Sequence, residues 1–294
     1  MAVRRGRPQT PAAMSTARST RAQDDRPDPR AEALRRRHHV VETGRIGGPP
    51  MVFAHGYATN QGVWRHVAPA FEDDYHVVRF DHVGSGRSDR GAWDPERHGS
   101  LDGYADDVVD LIDGLGLAPV VLVGHSVSGI IGALAVARAP ERFARLIMVG
   151  PSARFIDDEG YVGGFTREQI EAVLHDIDHD FAGWARAMAP ALVGDAPPEV
   201  AEELEGLMRS NDGAPGASGM ARAFLLADHR ADLERVGVPA LVMQASKDPF
   251  VPVEVGRFIE RRLPHSEFVQ LAATGHFPSL SAPAEVVAAI RAFL

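Results

Sequence analysis

Short apolar runs alternate with stretches of helical periodicity from residue 38 onward. Seven runs are predicted as strands, at 38–42, 51–54, 76–81, 120–124, 145–149, 240–244 and 267–271. They are β-branched and nearly continuous in apolar residues, which is typical of strands covered on both faces of a parallel sheet. Helices are predicted at 60–70, 101–115, 127–138, 253–263 and 284–294. This alternation predicts an α/β fold with a mostly parallel, doubly wound sheet.

The segment 152–236 breaks the alternation, because it contains helical patterns and no convincing strand. About four helices are predicted in it, near 166–179, 180–192, 198–210 and 217–235. We therefore predict a helical insertion, here called the cap, between two parts of one core. The core then occupies 38–151 and 237–294.

Residues 1–37 differ from the rest of the chain in charge. Ten arginines and four acidic residues give them a charge of +6, which leaves about −15 on the remainder of a chain with net charge −9. An acidic body argues against nucleic acid as the partner. The Pro, Ser and Arg content of 1–37 predicts a disordered tail, within which Met14 is an alternative start.

Cysteine is absent, which excludes disulfides and a thiolate nucleophile. No stretch approaches the roughly 20 apolar residues that a membrane span needs. The pair Arg4-Arg5 is not followed by the apolar region of an export signal. We expect a cytoplasmic protein.

A buried strand runs into Gly124-His125-Ser126, and a helix is predicted from Val127 onward. A serine in this strand–turn–helix context is held on a strained turn with its hydroxyl exposed above the sheet, as a nucleophile requires. The usual motif has glycine two residues after the serine, where this chain has Ser128, a small residue that fits. The alternative is that Ser126 only caps a helix.

A serine nucleophile needs a base and an orienting acid, and in this arrangement the acid precedes the base in the chain. Asp248 follows the strand 240–244, and His276 follows the strand 267–271. Both loops leave the carboxyl edge of the sheet, as the Ser126 turn does. The sequence predicts a triad of Ser126, His276 and Asp248.

An oxyanion formed at Ser126 needs two hydrogen-bond donors. The amide of Val127 directly follows the nucleophile, and the loop after strand 51–54 offers the amide of Tyr57. The segment 81–88 lacks the spacing of a dinucleotide-binding loop and is predicted to be a tight turn that supports the Tyr57 loop.

His175 and His179 lie four residues apart on a predicted cap helix, a spacing that could hold a metal ion. The glutamate of the H-E-x-x-H motif is missing, so we expect a solvated acidic face there. Neither a metal nor a cofactor is expected.

The chain resembles the α/β-hydrolase superfamily over 38–294. More narrowly it is similar to the stress-response regulator RsbQ and to the plant strigolactone and karrikin receptors. The matching segments are 80–89, 101–105, 124–128, 161–165, 227–230 and 275–278. The resemblance implies a four-helix lid over a small, mostly apolar pocket. It places His125, Phe155, Trp184 and Phe277 around that pocket, together with position 188, which is Met188 here and commonly aromatic in these relatives.

The expected activity is that of a serine hydrolase that cleaves a small ester or lactone through an acyl-enzyme. The resemblance also allows a ligand-sensing hydrolase that acts through a protein partner. The same residues could serve C–C bond hydrolysis, acyl transfer or cofactor-free perhydrolysis. Dehalogenase and epoxide hydrolase chemistries need a carboxylate where Ser126 stands.

Overall fold

The computed structural model describes residues 1–2 and 28–294, and its core is one seven-stranded sheet. The strands are β1 Val41–Gly44, β2 Pro50–Ala54, β3 His76–Phe80, β4 Val120–His125, β5 Phe143–Val149, β6 Ala240–Lys247 and β7 Ser266–Thr274. Their spatial order is β1-β3-β2-β4-β5-β6-β7. Only the β1–β3 pairing is antiparallel, so the mostly parallel sheet predicted from the sequence is confirmed.

Eleven α-helices surround this sheet in the described residues. They are α1 Pro29–Arg37, α2 Pro95–His98, α3 Leu101–Leu115, α4 Val127–Arg138, α5 Arg167–His179, α6 Phe181–Val193, α7 Pro198–Arg209, α8 Pro215–Leu225, α9 Val253–Arg262, α10 Pro278–Ser281 and α11 Pro283–Phe293. All six residues of β4 are buried, which is expected of a central strand covered on both faces. Over residues 28–294, no helix has the length and apolar character needed to cross a bilayer.

Four helices, α5 to α8, lie between β5 and β6 and form the cap. Its two ends meet, because the His229 amide donates to the Ala153 carbonyl at 2.9 Å and Arg154 pairs with Asp228 at 2.9 Å. This return to the core ends α8 at Leu225, well before the end of the helix predicted at 217–235. The helix predicted at 60–70 is instead two 3₁₀ turns, Gln61–Trp64 and Ala68–Phe71.

The prediction of a disordered tail over 1–37 is wrong for its last residues, which form α1. Residues 3–27 lie outside the part of the chain that the structure describes. Asp28 caps α1 by accepting from the Arg30 amide at 2.9 Å, and Leu34 packs on Gly114 of α3, where no Cβ would fit. The arginines that suggested a solvated tail pair with core acids, Arg35 with Glu42 and Arg37 with Asp107. Composition alone cannot show such pairing.

The burial of His38, at the end of α1, predicts that the fold loses stability in acid. Its ring is buried, neither ring nitrogen has a hydrogen-bond partner among the described residues, and burial lowers its pKa to about 4. In the unfolded chain this ring therefore binds a proton near pH 6.5, whereas in the folded chain it binds one only near pH 4. Stability is complete well above pH 6.5 and falls as the pH drops, by roughly 2 to 3 kcal/mol at pH 4.5.

The variant His38→Leu is expected to lose the part of the pH dependence of stability that comes from the His38 ring. Urea unfolding at pH 7 and pH 4.5 should show a gap between the two stabilities that is smaller by roughly 2 to 3 kcal/mol than in wild type. The exposed His265 provides the control, because His265→Leu should leave the gap unchanged. An equal gap in wild type and His38→Leu would contradict the assignment.

Candidate active site

Ser126 lies on a sharp turn between β4 and α4. Its backbone has φ 54° and ψ −122°, in the left-handed region that side chains rarely adopt. A Cβ at Gly124 would stand 2.4 Å from the Ser128 carbonyl oxygen, so strand and helix pass too close for any residue but glycine. The turn predicted from the sequence is present, and the Ser126 side chain is 5 % exposed.

Ser128 replaces the glycine of the usual motif, and its hydroxyl has a structural use. The hydroxyl donates to the His55 carbonyl and lies 2.7 Å from Nε2 of His82. The first residues of α4 are thereby joined to the loop 55–60, which we call the oxyanion loop. A serine at this position strengthens the attachment between nucleophile and oxyanion loop, which a glycine could not do.

Three distant parts of the chain meet at Ser126. Nε2 of His276 lies 2.9 Å from the Ser126 hydroxyl, and Nδ1 of the same ring lies 2.7 Å from Oδ2 of Asp248. Since an ionised carboxylate only accepts, Nδ1 carries the ring proton and Nε2 is free to accept the serine proton. The structure thus brings together the three side chains that the sequence selected for a triad.

The Asp248 carboxylate is buried and fully hydrogen-bonded. Oδ1 accepts from the amides of Phe250 and Val251 at 2.8 and 3.0 Å, while Oδ2 accepts from Nε2 of Gln244 at 3.2 Å as well as from His276. Gln244 was missed by the sequence analysis. The available signal was a lone polar residue in the apolar strand 240–244, four residues before the acid.

The oxyanion loop runs beside the nucleophile. A Cβ on Gly56 would lie 3.3 Å from Cβ of Ser126, so the loop backbone passes beside the nucleophile just before Tyr57. Neither the Tyr57 amide nor that of Val127 donates to another group within residues 28–294. Both predicted donors are therefore free to bind an oxygen atom.

The turn at 81–88 supports this loop, as predicted. The His82 amide donates to Nε2 of His55 at 3.0 Å, and the Asp81 carboxylate accepts from the amides of Gln61 and Arg87, both at 2.8 Å. Burial lowers the pKa of both His55 and His82, so the two rings stay neutral at physiological pH.

The cap also contacts the catalytic loops directly. The Tyr57 hydroxyl donates to the Ala217 carbonyl of α8 at 2.8 Å, and burial raises the pKa of that hydroxyl. On the other side, the Leu192 carbonyl at the end of α6 accepts from the amides of His276 and Phe277 at 2.6 and 3.1 Å. We call the segment 275–278 the base loop. The oxyanion loop and the base loop are thus both hydrogen-bonded to cap helices.

A narrow, mostly apolar cavity opens above Ser126. It is lined by Tyr57, Ala58, His125, Ser126, Trp184, Leu192, Met208, Phe224, Phe250, His276 and Phe277. Three of the five residues predicted for the pocket are in this set: His125, Trp184 and Phe277.

The other two predicted pocket residues, Phe155 and Met188, do not line the cavity. Phe155 is 1 % exposed and packs behind the lining rings of Phe224 and Phe250, with ring centroids 5.3 and 6.1 Å apart. The lining methionine is instead Met208 of α7. A resemblance in one segment cannot show which side chains of a neighbouring helix occupy the space.

His175 and His179 stack on each other on α5, with ring centroids 3.8 Å apart, and Nδ1 of His179 lies 2.9 Å from the His175 carbonyl. Across the described ranges, no group of three or more His, Cys, Asp or Glu side chains is arranged to hold a metal ion. The two histidines are part of the cap surface.

Comparison with known proteins agrees with this architecture. A family model described as alpha/beta hydrolase fold matches residues 49–283. The strigolactone esterase D14 of Arabidopsis thaliana is 36 % identical over 262 residues, which is 86 % of this chain and 97 % of that relative. The karrikin insensitive 2 receptor IA of Petunia hybrida is 35 % identical over 238 residues, or 81 % of this chain and 87 % of the relative.

Among solved structures, a hydrolase from Oleispira antarctica superposes with a TM-score of 0.84. Its sequence is 32 % identical to this one, and the match covers 90 % of this chain and 96 % of the other. The sheet and the cap therefore both have counterparts in a known hydrolase.

Proposed function

The chain belongs to the α/β-hydrolase family, in its strigolactone- and karrikin-receptor-like subfamily, and is a hydrolase; from this premise we propose that it cleaves a small, largely apolar ester or lactone through an acyl-enzyme on Ser126. The observation that carries the proposal is the hydrogen-bonded chain from Ser126 through His276 to Asp248, with distances of 2.9 and 2.7 Å. This is the geometry that nucleophilic catalysis by serine requires.

In the first half of the reaction, the Ser126 hydroxyl attacks the substrate carbonyl and its proton passes to Nε2 of His276. The imidazolium so formed is stabilised by the Asp248 carboxylate on Nδ1. The same proton then goes to the leaving alcohol oxygen, which departs and leaves the acyl group on Ser126. A water molecule attacks the acyl group in the second half, with His276 again as the base, and the acid product is released.

The negative charge of each tetrahedral intermediate falls on the former carbonyl oxygen. The free amides of Tyr57 and Val127 are the proposed donors, and each contributes about 3 kcal/mol to transition-state stabilisation. The position of Val127 at the first turn of α4 adds the favourable end of the helix dipole.

The lining of the cavity supports a small, apolar substrate. Apart from Ser126, His276 and the buried neutral His125, its side chains are aromatic or aliphatic, and none of the described residues that line it is acidic or cationic. The space between these side chains is tight, which favours a small acyl group over a bulky one. A charged acyl group would lose its hydration there without gaining a partner.

A second candidate function is that of a ligand-sensing hydrolase that signals through a protein partner. Its support is the similarity to two karrikin insensitive 2 receptors over more than four-fifths of this chain. The cap is hydrogen-bonded to both the oxyanion loop and the base loop. This fits the signalling role, because a long-lived acyl group on Ser126 would act on the cap surface through these loops. For either function the proposed location is the cytoplasm, an expectation that comes from composition.

The acyl-enzyme can be tested by intact-mass spectrometry with a panel of activated esters and lactones. Wild type is expected to gain the mass of one acyl group, and Ser126→Ala to gain none, because the Ser126 hydroxyl lies beside the imidazole that activates it. An adduct that decays within seconds favours an esterase, whereas one that persists for many minutes favours the sensing role. Equal labelling of wild type and Ser126→Ala would refute the nucleophile.

A further inference from the structure

His125, the residue before the nucleophile, is completely buried and holds the loop that carries the base. Its Nε2 lies 2.8 Å from the backbone carbonyl oxygen of His276. Since a carbonyl oxygen only accepts, Nε2 carries the ring proton and donates it. The strand that delivers the nucleophile therefore also donates a hydrogen bond to the backbone of the base.

The other edge of the same ring contacts the oxyanion loop. A Cβ on Gly56 would lie 2.5 Å from Nδ1 of His125, so the glycine backbone rests against the ring. The ring also packs on Phe277, with centroids 4.5 Å apart. One imidazole is thereby in contact with both loops that surround Ser126.

The His125 ring has a single N–H donor around neutral pH. Burial lowers the pKa of His125 to about 3, and the nearby His276 acts in the same direction. A neutral ring with its proton on Nε2 has one hydrogen to give, and the His276 carbonyl receives it.

The backbone of His276 is then held on both sides. Its amide donates to the Leu192 carbonyl at 2.6 Å, and its carbonyl accepts from His125 at 2.8 Å. Without the His125 donor, the buried carbonyl would lack a partner, and the base loop would shift to find one. A shift of about 1 Å at the reacting atoms is enough to cost about 100-fold in rate.

We propose that His125 is a positioning residue for hydrolysis, because its Nε2–H fixes the His276 backbone and so keeps the imidazole within reach of the Ser126 hydroxyl. The inference rests on the proposed function, in which His276 is the base. His125 thereby contributes to the rate of the reaction, in addition to lining the cavity.

The test compares two amides that differ by one methylene. In His125→Gln, the side-chain nitrogen is as many bonds from Cα as Nε2 of histidine, so it can reach the His276 carbonyl; in His125→Asn it cannot. We expect kcat for p-nitrophenyl acetate to fall about 30- to 100-fold in His125→Asn and to recover to within about 5-fold of wild type in His125→Gln. KM should stay within about 3-fold in both variants.

Phosphorylation of Ser126 by paraoxon separates these outcomes from failure to fold or to react. Each variant should take up one diethylphosphoryl group per chain at saturation, with the rate reduced in His125→Asn and restored in His125→Gln. Equal kcat in the two variants, whether high or low, overturns the inference. A lower kcat in His125→Asn that is explained entirely by a smaller fraction of chains that react with paraoxon also overturns it. If wild type is not phosphorylated at Ser126, the proposed function itself fails and the inference falls with it.

Discussion

Replacing His276 by alanine is expected to lower kcat for p-nitrophenyl acetate by about 10⁴-fold or more, with little change in KM. The reason is that Nε2 of His276 is the group placed 2.9 Å from the Ser126 hydroxyl to accept its proton. Asp248→Asn should cost a comparable factor of about 10⁴, because an amide would favour the wrong tautomer of the ring. Steady-state kinetics on purified variants measures both effects.

The exposed His265 gives the control for this experiment, since His265→Ala should leave kcat unchanged. Combining His276→Ala with Ser126→Ala should add little further loss, because the two residues act as one unit. A kcat for His276→Ala within about tenfold of wild type would show that another group removes the proton.

The fold could be predicted where one local pattern decides it. Helix α3 has the same bounds in structure and sequence, 101–115, because its apolar stripe is continuous and Gly116 ends it with φ 66°. The segment 60–70 also has helical spacing, yet Asn60 caps one 3₁₀ turn, and a second one, with Pro69 in its first turn, begins at Ala68. There the core contacts of the loop override the periodicity.

The site could be predicted as far as sheet topology determines it. Loops that leave the carboxyl ends of parallel strands meet at one edge, so three side chains after β4, β6 and β7 converge without any knowledge of packing. The contact of Leu192 and the donor role of His125 could not be predicted in this way. Each depends on the approach of one loop or helix to another, which no spacing in the sequence encodes.

Gly56→Ala is expected to lower kcat by about 10²- to 10³-fold through the oxyanion loop. The backbone of Gly56 lies outside the left-handed region, so alanine meets no conformational strain there. Its Cβ would, however, lie 2.5 Å from Nδ1 of His125. That ring is completely buried and bonded to the base loop, so the oxyanion loop has to move and takes the Tyr57 amide with it.

The variant Gly206→Ala is the matched control for this change. Gly206 lies in α7, and apart from the backbone of its own helix no atom of the described residues lies within 4 Å of its added Cβ, so alanine should leave kcat unchanged and stabilise the helix by about 1 kcal/mol. A boronic acid that mimics the tetrahedral intermediate should bind Gly56→Ala more weakly by about the factor lost in kcat. If Gly56→Ala kept kcat within about threefold of wild type, the Tyr57 amide would not be an oxyanion donor, because its displacement would have left the transition state equally well stabilised.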